Sequence, residues 1–255
     1  MSTRTSYTQG TPNWTDLTFM DAEKTKTFYS ALFGWEYEHI PTDQGSDYIM
    51  AKKKGLNAAG MWQSSDPEAM PPLWSVYLAV DDVDASANTA QQAGAQVMVQ
   101  PMNAMDSGRM AVIADPAGAF IGLWQANTHI GASIVNEPGA FTWAEIFSPD
   151  TDKVLDFYEH LGLKGHELEM GDEPYMSLKA GDNVVGGTMK PYAPEVPPHW
   201  HAYFGVEDCD AAIETVKEKG GSVLNGPVNT PVGRMAIIAD PDGAAFSIIA
   251  MPEWN

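Results

Sequence analysis

The stretch GRMAVIADPAGA, residues 108–119, occurs again as GRMAIIADPDGA at residues 233–244. In both copies a run of apolar residues ends in Asp-Pro-x-Gly. Proline suits the second position of a type I turn, and glycine accepts the positive φ that the turn's exit requires. Each copy therefore predicts a strand, a tight hairpin turn and a second strand.

The repetition extends well beyond this hairpin. MPPLWSVYLAVDDVDA (70–85) corresponds to VPPHWHAYFGVEDCDA (196–211), and the segment 13–36 corresponds to 142–165. The spacing far exceeds the 20–50 residues that are typical of solenoid repeats. We therefore expect two similar domains, residues 1–127 and 128–255, joined near 126–140.

Each unit itself contains the same order of elements twice. In the first unit, a strand over Trp14–Phe19 precedes a helix that Asp21 can cap and Gly34 can end, and three short strands follow. The pattern then restarts at Trp74. The sequence predicts strand–helix–strand–strand–strand four times, an α+β fold.

This order, with FYSALFG or FYEHLG at the end of a helix and DPxG in the last hairpin, resembles the glyoxalase/bleomycin-resistance/dioxygenase superfamily, also called vicinal oxygen chelate (VOC) proteins. It is most similar to the two-unit glyoxalase-like proteins of actinobacteria. The resemblance implies four βαβββ modules, paired into two tandem glyoxalase-like domains with curled mixed sheets. Each pair would form a cup that holds a ligand or a metal.

The resemblance also implies where metal ligands would stand. Metalloenzymes of the superfamily place His, Gln or Glu on the first and last strands of the modules, as divalent cations require. The corresponding positions here, two of them placed only approximately near Gly60 and Gly186, are Trp14, Gly60, Ser75, Gly122, Trp143, Gly186, His201 and Ser247. Only His201 can bind a metal, so we expect no metal and no cofactor.

A displaced metal site is the alternative. His199 and His201 would share one face of a strand, and Asp16 or Glu145 lies two residues beyond a lost first-strand ligand. Two imidazoles and a carboxylate could form a facial triad.

Alternation along the strands predicts an aromatic lining for each cup, with few polar groups, as in many small-molecule sites. Planar or cationic ligands could stack on such rings; the alternative is that the rings only fill the core. The expected ligand-binding residues are Trp14, Asp16, Tyr77, Trp124, Trp143, Glu145, His201 and Tyr203.

The inward carboxylates have two interpretations. Asp16 and Glu145 could form symmetric ion pairs with Arg109 and Arg234 of the twin GRMA segments. Alternatively, a carboxylate anchors the ligand or acts as a general base. His201 beside Glu145 could transfer protons near neutral pH, or it could be a hydrogen-bonded structural histidine; the other histidines, His129 among them, are expected at the surface.

Composition limits the partners. Thirty-four acidic residues against 14 basic ones give a formal charge of −20, which disfavours nucleic acid and anionic membranes. The single Cys209 and the absence of a signal-peptide pattern favour the cytoplasm. We expect a monomer or homodimer that binds a small molecule.

Two functions fit these features. The first is a metal-independent drug- or metabolite-binding protein, as the resemblance to bleomycin-resistance proteins implies. The second is a metal-independent lyase, isomerase or hydrolase, or a glyoxalase-like detoxification enzyme, with His201 or Glu145 as general base. An interaction protein with non-functional cups is a third possibility.

Overall fold

The computed structural model describes residues 3–42, 46–66, 68, 70–170, 173–191 and 193–253. Its described part contains the predicted order strand–helix–strand–strand–strand four times. In the N-terminal half the elements are β1 Pro12–Phe19, α1 Ala22–Phe33, β2 Glu36–Ile40, β3 Tyr48–Lys53, β4 Leu56–Gln63, β5 Leu73–Ala79, α2 Val83–Gln92, β6 Gln96–Ala104, β7 Gly108–Ala114 and β8 Phe120–Ala126. In the C-terminal half they are β9 Phe141–Phe147, α3 Thr151–Glu159, β10 Leu163–Met170, β11 Glu173–Ala180, β12 Asn183–Met189, β13 His199–Gly205, α4 Cys209–Glu218, β14 Ser222–Thr230, β15 Gly233–Ala239 and β16 Ala245–Ala250.

The strands form one open mixed sheet in each half of the described chain. The first sheet has the order β2-β3-β4-β1-β5-β8-β7-β6, and the second repeats it as β10-β11-β12-β9-β13-β16-β15-β14. The first strands of paired modules, β1 with β5 and β9 with β13, are antiparallel neighbours at the centre of each sheet. This arrangement confirms the predicted α+β fold of four βαβββ modules in two tandem units.

Local signals explain the first helix. The side chain of Asp21 accepts hydrogen bonds from the backbone N–H groups of Glu23 and Lys24, both at 3.1 Å, so it caps α1 as predicted. Gly34 ends the helix with φ at 68°, a left-handed conformation that favours glycine.

The repeated Asp-Pro-x-Gly segments form the predicted turns. The N–H of Gly118 donates to the carbonyl of Asp115 at 2.9 Å, and Gly118 has φ at 99°. The second copy does the same, with the N–H of Gly243 donating to the carbonyl of Asp240 at 3.0 Å.

The turn aspartates also join the two halves. The hydroxyl of Tyr29, on α1, donates to Asp240 at 3.0 Å, and the hydroxyl of Tyr158, on α3, donates to Asp115 at 3.0 Å. All four side chains are buried. The FY motif of each half is therefore the hydrogen-bond partner of the DPxG motif of the other half.

The larger of the apolar clusters among the described residues contains side chains of both halves. Phe33 of α1 lies 5.1 Å from Phe204 of β13, and Trp74 of β5 lies 4.9 Å from the same ring, measured between ring centroids. The boundary predicted between residues 127 and 128 falls in the connection between β8 and β9, and it stays a prediction. Among the described residues, no helix has the length and apolar character needed to cross a membrane.

Candidate functional site

The N-terminal cup is the face of the first sheet that carries Trp14, Asp16, Tyr48 and Tyr77. The Tyr77 hydroxyl donates to Asp16 Oδ2 at 3.0 Å, and the Trp14 indole N–H donates to the Tyr48 hydroxyl at 3.0 Å. Asp16 is 6 % exposed, and among the described residues its Oδ1 atom has no hydrogen-bond partner. The cup thus holds a buried carboxylate with half of its hydrogen-bonding capacity unused.

The C-terminal cup is the equivalent face of the second sheet, with Trp143, Glu145, Tyr175, His201 and Tyr203. The hydroxyls of Tyr175 and Tyr203 donate to Oε1 and Oε2 of Glu145, respectively, in short hydrogen bonds. The Trp143 indole donates to the Tyr175 hydroxyl at 3.2 Å. Both oxygens of the carboxylate are therefore held by tyrosines.

His201 lies on β13 in register with Glu145. Its Nε2 atom is 2.9 Å from Oγ of Ser247, and its ring contacts Phe147 edge to face at 5.5 Å. Desolvation, with a smaller contribution from the neighbouring His199, lowers the pKa of His201 to about 3. Burial therefore favours the neutral imidazole, and proton transfer by His201 stays a prediction.

Burial raises the pKa values of the two carboxyl groups, whereas it lowers that of His201. Desolvation raises the pKa of Asp16 to about 7, against a small opposing effect from Tyr77. Desolvation also raises the pKa of Glu145, while its tyrosine partners and Trp143 act against the rise. The structure thus places a buried, titratable carboxylate at the centre of each cup.

The two cups differ at their openings. The connection after β8 passes over the N-terminal cup, where the His129 ring lies 4.5 Å from that of Trp14 and 5.6 Å from that of Trp124. Trp14 is buried there, whereas its counterpart Trp143 is half-buried in the C-terminal cup; Tyr48 and Tyr175 are half-buried in their respective cups. The C-terminal cup is the more open of the two.

The eight predicted ligand-binding residues fall into two clusters. Four lie together in each cup: Trp14, Asp16, Tyr77 and Trp124 in the first, and Trp143, Glu145, His201 and Tyr203 in the second. The structure therefore brings each predicted set together, and their role in binding stays a prediction.

The predicted ion pairs of the inward carboxylates are wrong. Arg109 instead binds Asp84 at 2.7 Å, and Arg234 binds Asp210 at 2.9 Å. These aspartates belong to the first turns of α2 and α4. The arginines are symmetric as predicted, but they tie β7 and β15 to these helices on the outside of the sheets.

The donor set does not fit a divalent cation. A side chain at Gly60 would begin 1.7 Å from the Tyr48 hydroxyl, and one at Gly122 would begin 2.0 Å from the Tyr77 ring. In the second sheet, Gly187 rather than Gly186 is in register with Glu145, and a side chain there would begin 1.8 Å from the Tyr175 hydroxyl. Tyrosines therefore fill the space where ligands would project.

The displaced site with His199 does not fit either. The Nδ1 atom of His199 is 2.9 Å from the carbonyl of Pro197, and both oxygens of Glu145 accept tyrosine hydroxyls. In the part of the chain that the structure describes, no three His, Cys, Asp or Glu side chains are placed to hold a metal.

Sequence reasoning missed four residues of these sites. Tyr48 of β3 and Tyr175 of β11 each accept the indole N–H of Trp14 or Trp143, so comparison of the two repeats could have found them. Ser247 had been considered only as a lost metal ligand. His129 was expected at the surface, but it is half-buried and desolvation lowers its pKa to about 4.

Two mixed sheets built from paired βαβββ modules define the fold of glyoxalase-type proteins. The chain belongs to the Glyoxalase/Bleomycin resistance protein/Dioxygenase superfamily, whose sequence profile matches residues 11–123 and 140–248. The two matched segments correspond to the two sheets.

Relatives with similar sequences occur in Mycobacterium and Streptomyces. The chain is 46% identical over 255 residues to the "Putative glyoxylase CFP32" of Mycobacterium tuberculosis, covering 98% of both chains. It is 34% identical over 264 residues to the "Anthracycline biosynthesis protein DnrV" of Streptomyces peucetius, covering 98% of this chain and 96% of DnrV.

Solved structures share the fold at low identity. The Mn(II)-bound glyoxalase from Novosphingobium aromaticivorans superposes with a TM-score of 0.62 at 16% identity, over 98% of this chain and 87% of that one. The 2,3-dioxygenase LapB from Pseudomonas sp. KL28 gives 0.63 at 17% identity, over 95% and 93%. These similarities extend to the fold alone.

Proposed function

We propose that this protein binds a small planar aromatic molecule without a metal, and that the C-terminal cup is the binding site. The observation that carries this proposal is the state of Glu145, whose two oxygens accept hydroxyls of Tyr175 and Tyr203. A carboxylate held in this way is a fixed negative group in an aromatic wall, and each of its oxygens already accepts a hydrogen bond from the protein.

The rings at the opening support an aromatic ligand. Trp143 and Tyr175 are half-buried, and His199 stacks on Phe147 with ring centroids 5.1 Å apart. Flat rings that are partly exposed and held by hydrogen bonds can take up another flat ring at little entropic cost. The relative named for anthracycline biosynthesis is consistent with a planar aromatic ligand.

Charge favours neutral or cationic ligands over anions. The formal charge of −20 produces a field that concentrates cations and repels anions. Neutral or cationic small molecules, rather than nucleic acids, are therefore the expected ligands of a drug- or metabolite-binding protein in the cytoplasm.

Catalysis by His201 or Glu145 is the weaker alternative. Nε2 of His201 is engaged with Ser247. Burial raises the pKa of Glu145, but both of its oxygens already accept tyrosine hydroxyls, so neither oxygen is free of a protein partner. We therefore favour binding over a lyase, isomerase or hydrolase reaction.

Equilibrium dialysis with β-naphthol, a neutral planar probe, tests the proposal. We expect saturable binding that survives EDTA and that weakens at least several-fold in Trp143→Ala. Trp14→Ala, the matched change in the closed N-terminal cup, should leave the affinity unchanged. Loss of binding on chelation would refute metal independence, and equal weakening by Trp14→Ala would refute the choice of cup.

A further inference from the structure

In the described part of the chain, two of the four sheet edges carry no charged residue. The sheets end at β2 and β10 on one side and at β6 and β14 on the other. β2 (EYEHI) and β10 (LKGHELEM) contain charged side chains, which protect the edge strands of many proteins. β6 (QVMVQPMNA) and β14 (SVLNGPVNT) contain none, although the formal charge of the chain is −20.

Large apolar side chains are exposed on β6. Met98 is 50% exposed and Met102 is 41% exposed, and Met105, in the turn that follows the strand, is 52% exposed. Val99 is exposed as well. Single exposed apolar residues are ordinary, whereas a group of them on one element indicates an interaction surface. We call Met98, Val99, Met102 and Met105 the β6 patch.

The apolar surface continues from β6 onto β7. Val99 is in register with Val112, and Met102 is in register with Met110. Val112 and Met110 are both half-buried, so part of each remains accessible beside the edge. The β6 patch is therefore backed by further apolar side chains and not by polar ones.

The arginine beside the β6 patch has its own partners. The guanidinium of Arg109 donates to the carboxylate of Asp84 at 2.7 and 2.8 Å. It also donates to Oδ1 of Asn103 at 3.0 Å and to the carbonyl of Pro101 at 3.1 Å. Its positive charge is thus matched by an aspartate of this chain, and the first acidic residue after the strand is Asp106.

The backbone of β6 is irregular, which limits how a partner could use this edge. Its pairing with β7 shifts register between Val97 and Val99 and again between Val99 and Met102. Pro101 lies in the second irregular segment and has no N–H to donate. An extended peptide that adds a strand needs a regular row of N–H and C=O groups. The edge therefore favours contact through side chains over strand addition.

We propose that the β6 patch is the interface of a homodimer, with a second copy of this chain as the partner. Charge selects this partner. A cationic partner would be attracted to the acidic surface, whereas two copies with a formal charge of −20 repel each other wherever charges face one another. The uncharged apolar edge is where two such molecules can meet and bury apolar area.

A two-fold contact through this edge is self-complementary. Each copy presents the same patch to the other, and the flexible methionine side chains can adapt to the surface they meet. β14 exposes Leu224 and Val228, but an uncharged polar segment, Asn225-Gly226-Pro227, separates them. With one patch used per chain, the contact closes as a dimer and does not propagate into a filament.

Sedimentation equilibrium of the full chain over a concentration series tests the interface. We expect a reversible monomer–dimer equilibrium, because a contact through one edge is at the small end of protein interfaces. Met102→Lys should weaken the dimer by at least about tenfold, since the two-fold contact brings in one unpaired charge from each copy. Val228→Lys changes the net charge equally on the β14 edge and should leave the dissociation constant unchanged.

Two results of this experiment would overturn the proposal. One is a chain that stays monomeric at every concentration. The other is a dimer that Met102→Lys does not weaken, or that Val228→Lys weakens equally. Because Met102 and Val228 are both exposed, their replacement should leave thermal unfolding nearly unchanged, which checks that each variant is folded.

Cysteine cross-linking locates the contact without adding a charge. Cys209 is the only cysteine of the chain and is buried, so Met102→Cys supplies the accessible thiol. A short bismaleimide should join two copies of Met102→Cys and should not join copies of Val228→Cys or of the unmodified protein. Absence of cross-linked Met102→Cys, or equal cross-linking of the two variants, would show that the β6 patch is not the interface.

Discussion

Replacing Asp16 with Asn should stabilise the protein, and the gain should depend on pH. Asp16 is buried, it accepts one hydrogen bond from Tyr77, and its Oδ1 atom is unpaired among the described residues. Burial without compensation raises the pKa of the carboxyl group from 3.8 to about 7. Asparagine has the same shape and can still accept from Tyr77, but it never ionises.

The sign and size follow from proton linkage. Below the unfolded pKa near 3.8 both states hold the proton, and this carboxyl group costs nothing. Between there and about pH 7 the unfolded chain loses its proton while the folded chain retains it, so stability falls as the pH rises. A shift of about three units, at about 1.4 kcal/mol each, makes the folded state less stable by about 4 kcal/mol above pH 7.

Urea unfolding over a pH series measures this effect. The free energy of unfolding of Asp16→Asn minus that of the unmodified protein should grow between about pH 4 and pH 7 and then level off. Glu145→Gln is the matched control: it removes the charge that two tyrosine hydroxyls stabilise, so its gain should be much smaller. A difference for Asp16→Asn that stays constant over the whole series would refute the uncompensated burial of this carboxylate.

Two further predictions concern the contacts between the two halves. Tyr29→Phe should destabilise the protein by about 1–3 kcal/mol in urea unfolding, because the indole N–H of Trp74 and the carboxylate of Asp240 both lose a buried partner. Tyr158→Phe should have the same effect through Trp200 and Asp115, and unchanged stability in either variant would contradict a stabilising role for these contacts. Gly118→Ala should lower the free energy of unfolding by about 1–2 kcal/mol through the positive φ of 99° alone, because a side chain there would meet no atom within 4 Å. Thermal unfolding measures this change, and a much larger loss of stability would mean that backbone strain is not the cause.

The fold was predictable because its signals are local. A capping aspartate, a glycine at the end of a helix and an Asp-Pro-x-Gly turn each specify the conformation of a few residues. Because of the internal repeats, the same order of elements could be predicted independently four times. The order of elements therefore needed no knowledge of distant contacts.

Predicting the partners of the inward carboxylates, in contrast, requires knowing which distant residues lie close together. Alternation correctly placed Asp16 and Tyr77 on one face, but it says nothing of the distance across the sheet. The order β1-β5-β8-β7 puts two strands between Asp16 and Arg109, a separation of about 14 Å at the usual strand spacing. Similarly, the path of the connection after β8 decides the burial of His129, and no periodicity reports that path.

The side chain of Glu145 is longer than that of Asp16 by one methylene group, and this difference accounts for much of the difference between the cups. The longer Glu145 reaches hydroxyls on both β11 and β13, whereas the shorter Asp16 reaches only Tyr77 of β5. Tyr48, the counterpart of Tyr175, bonds to Trp14 but not to Asp16. The cup with the satisfied carboxylate is the open one, where a fixed charge can orient a ligand. The cup with the unsatisfied carboxylate is covered by His129, and ionisation there only destabilises the fold. Under the proposed function, the C-terminal cup binds the ligand and the N-terminal cup is retained as core.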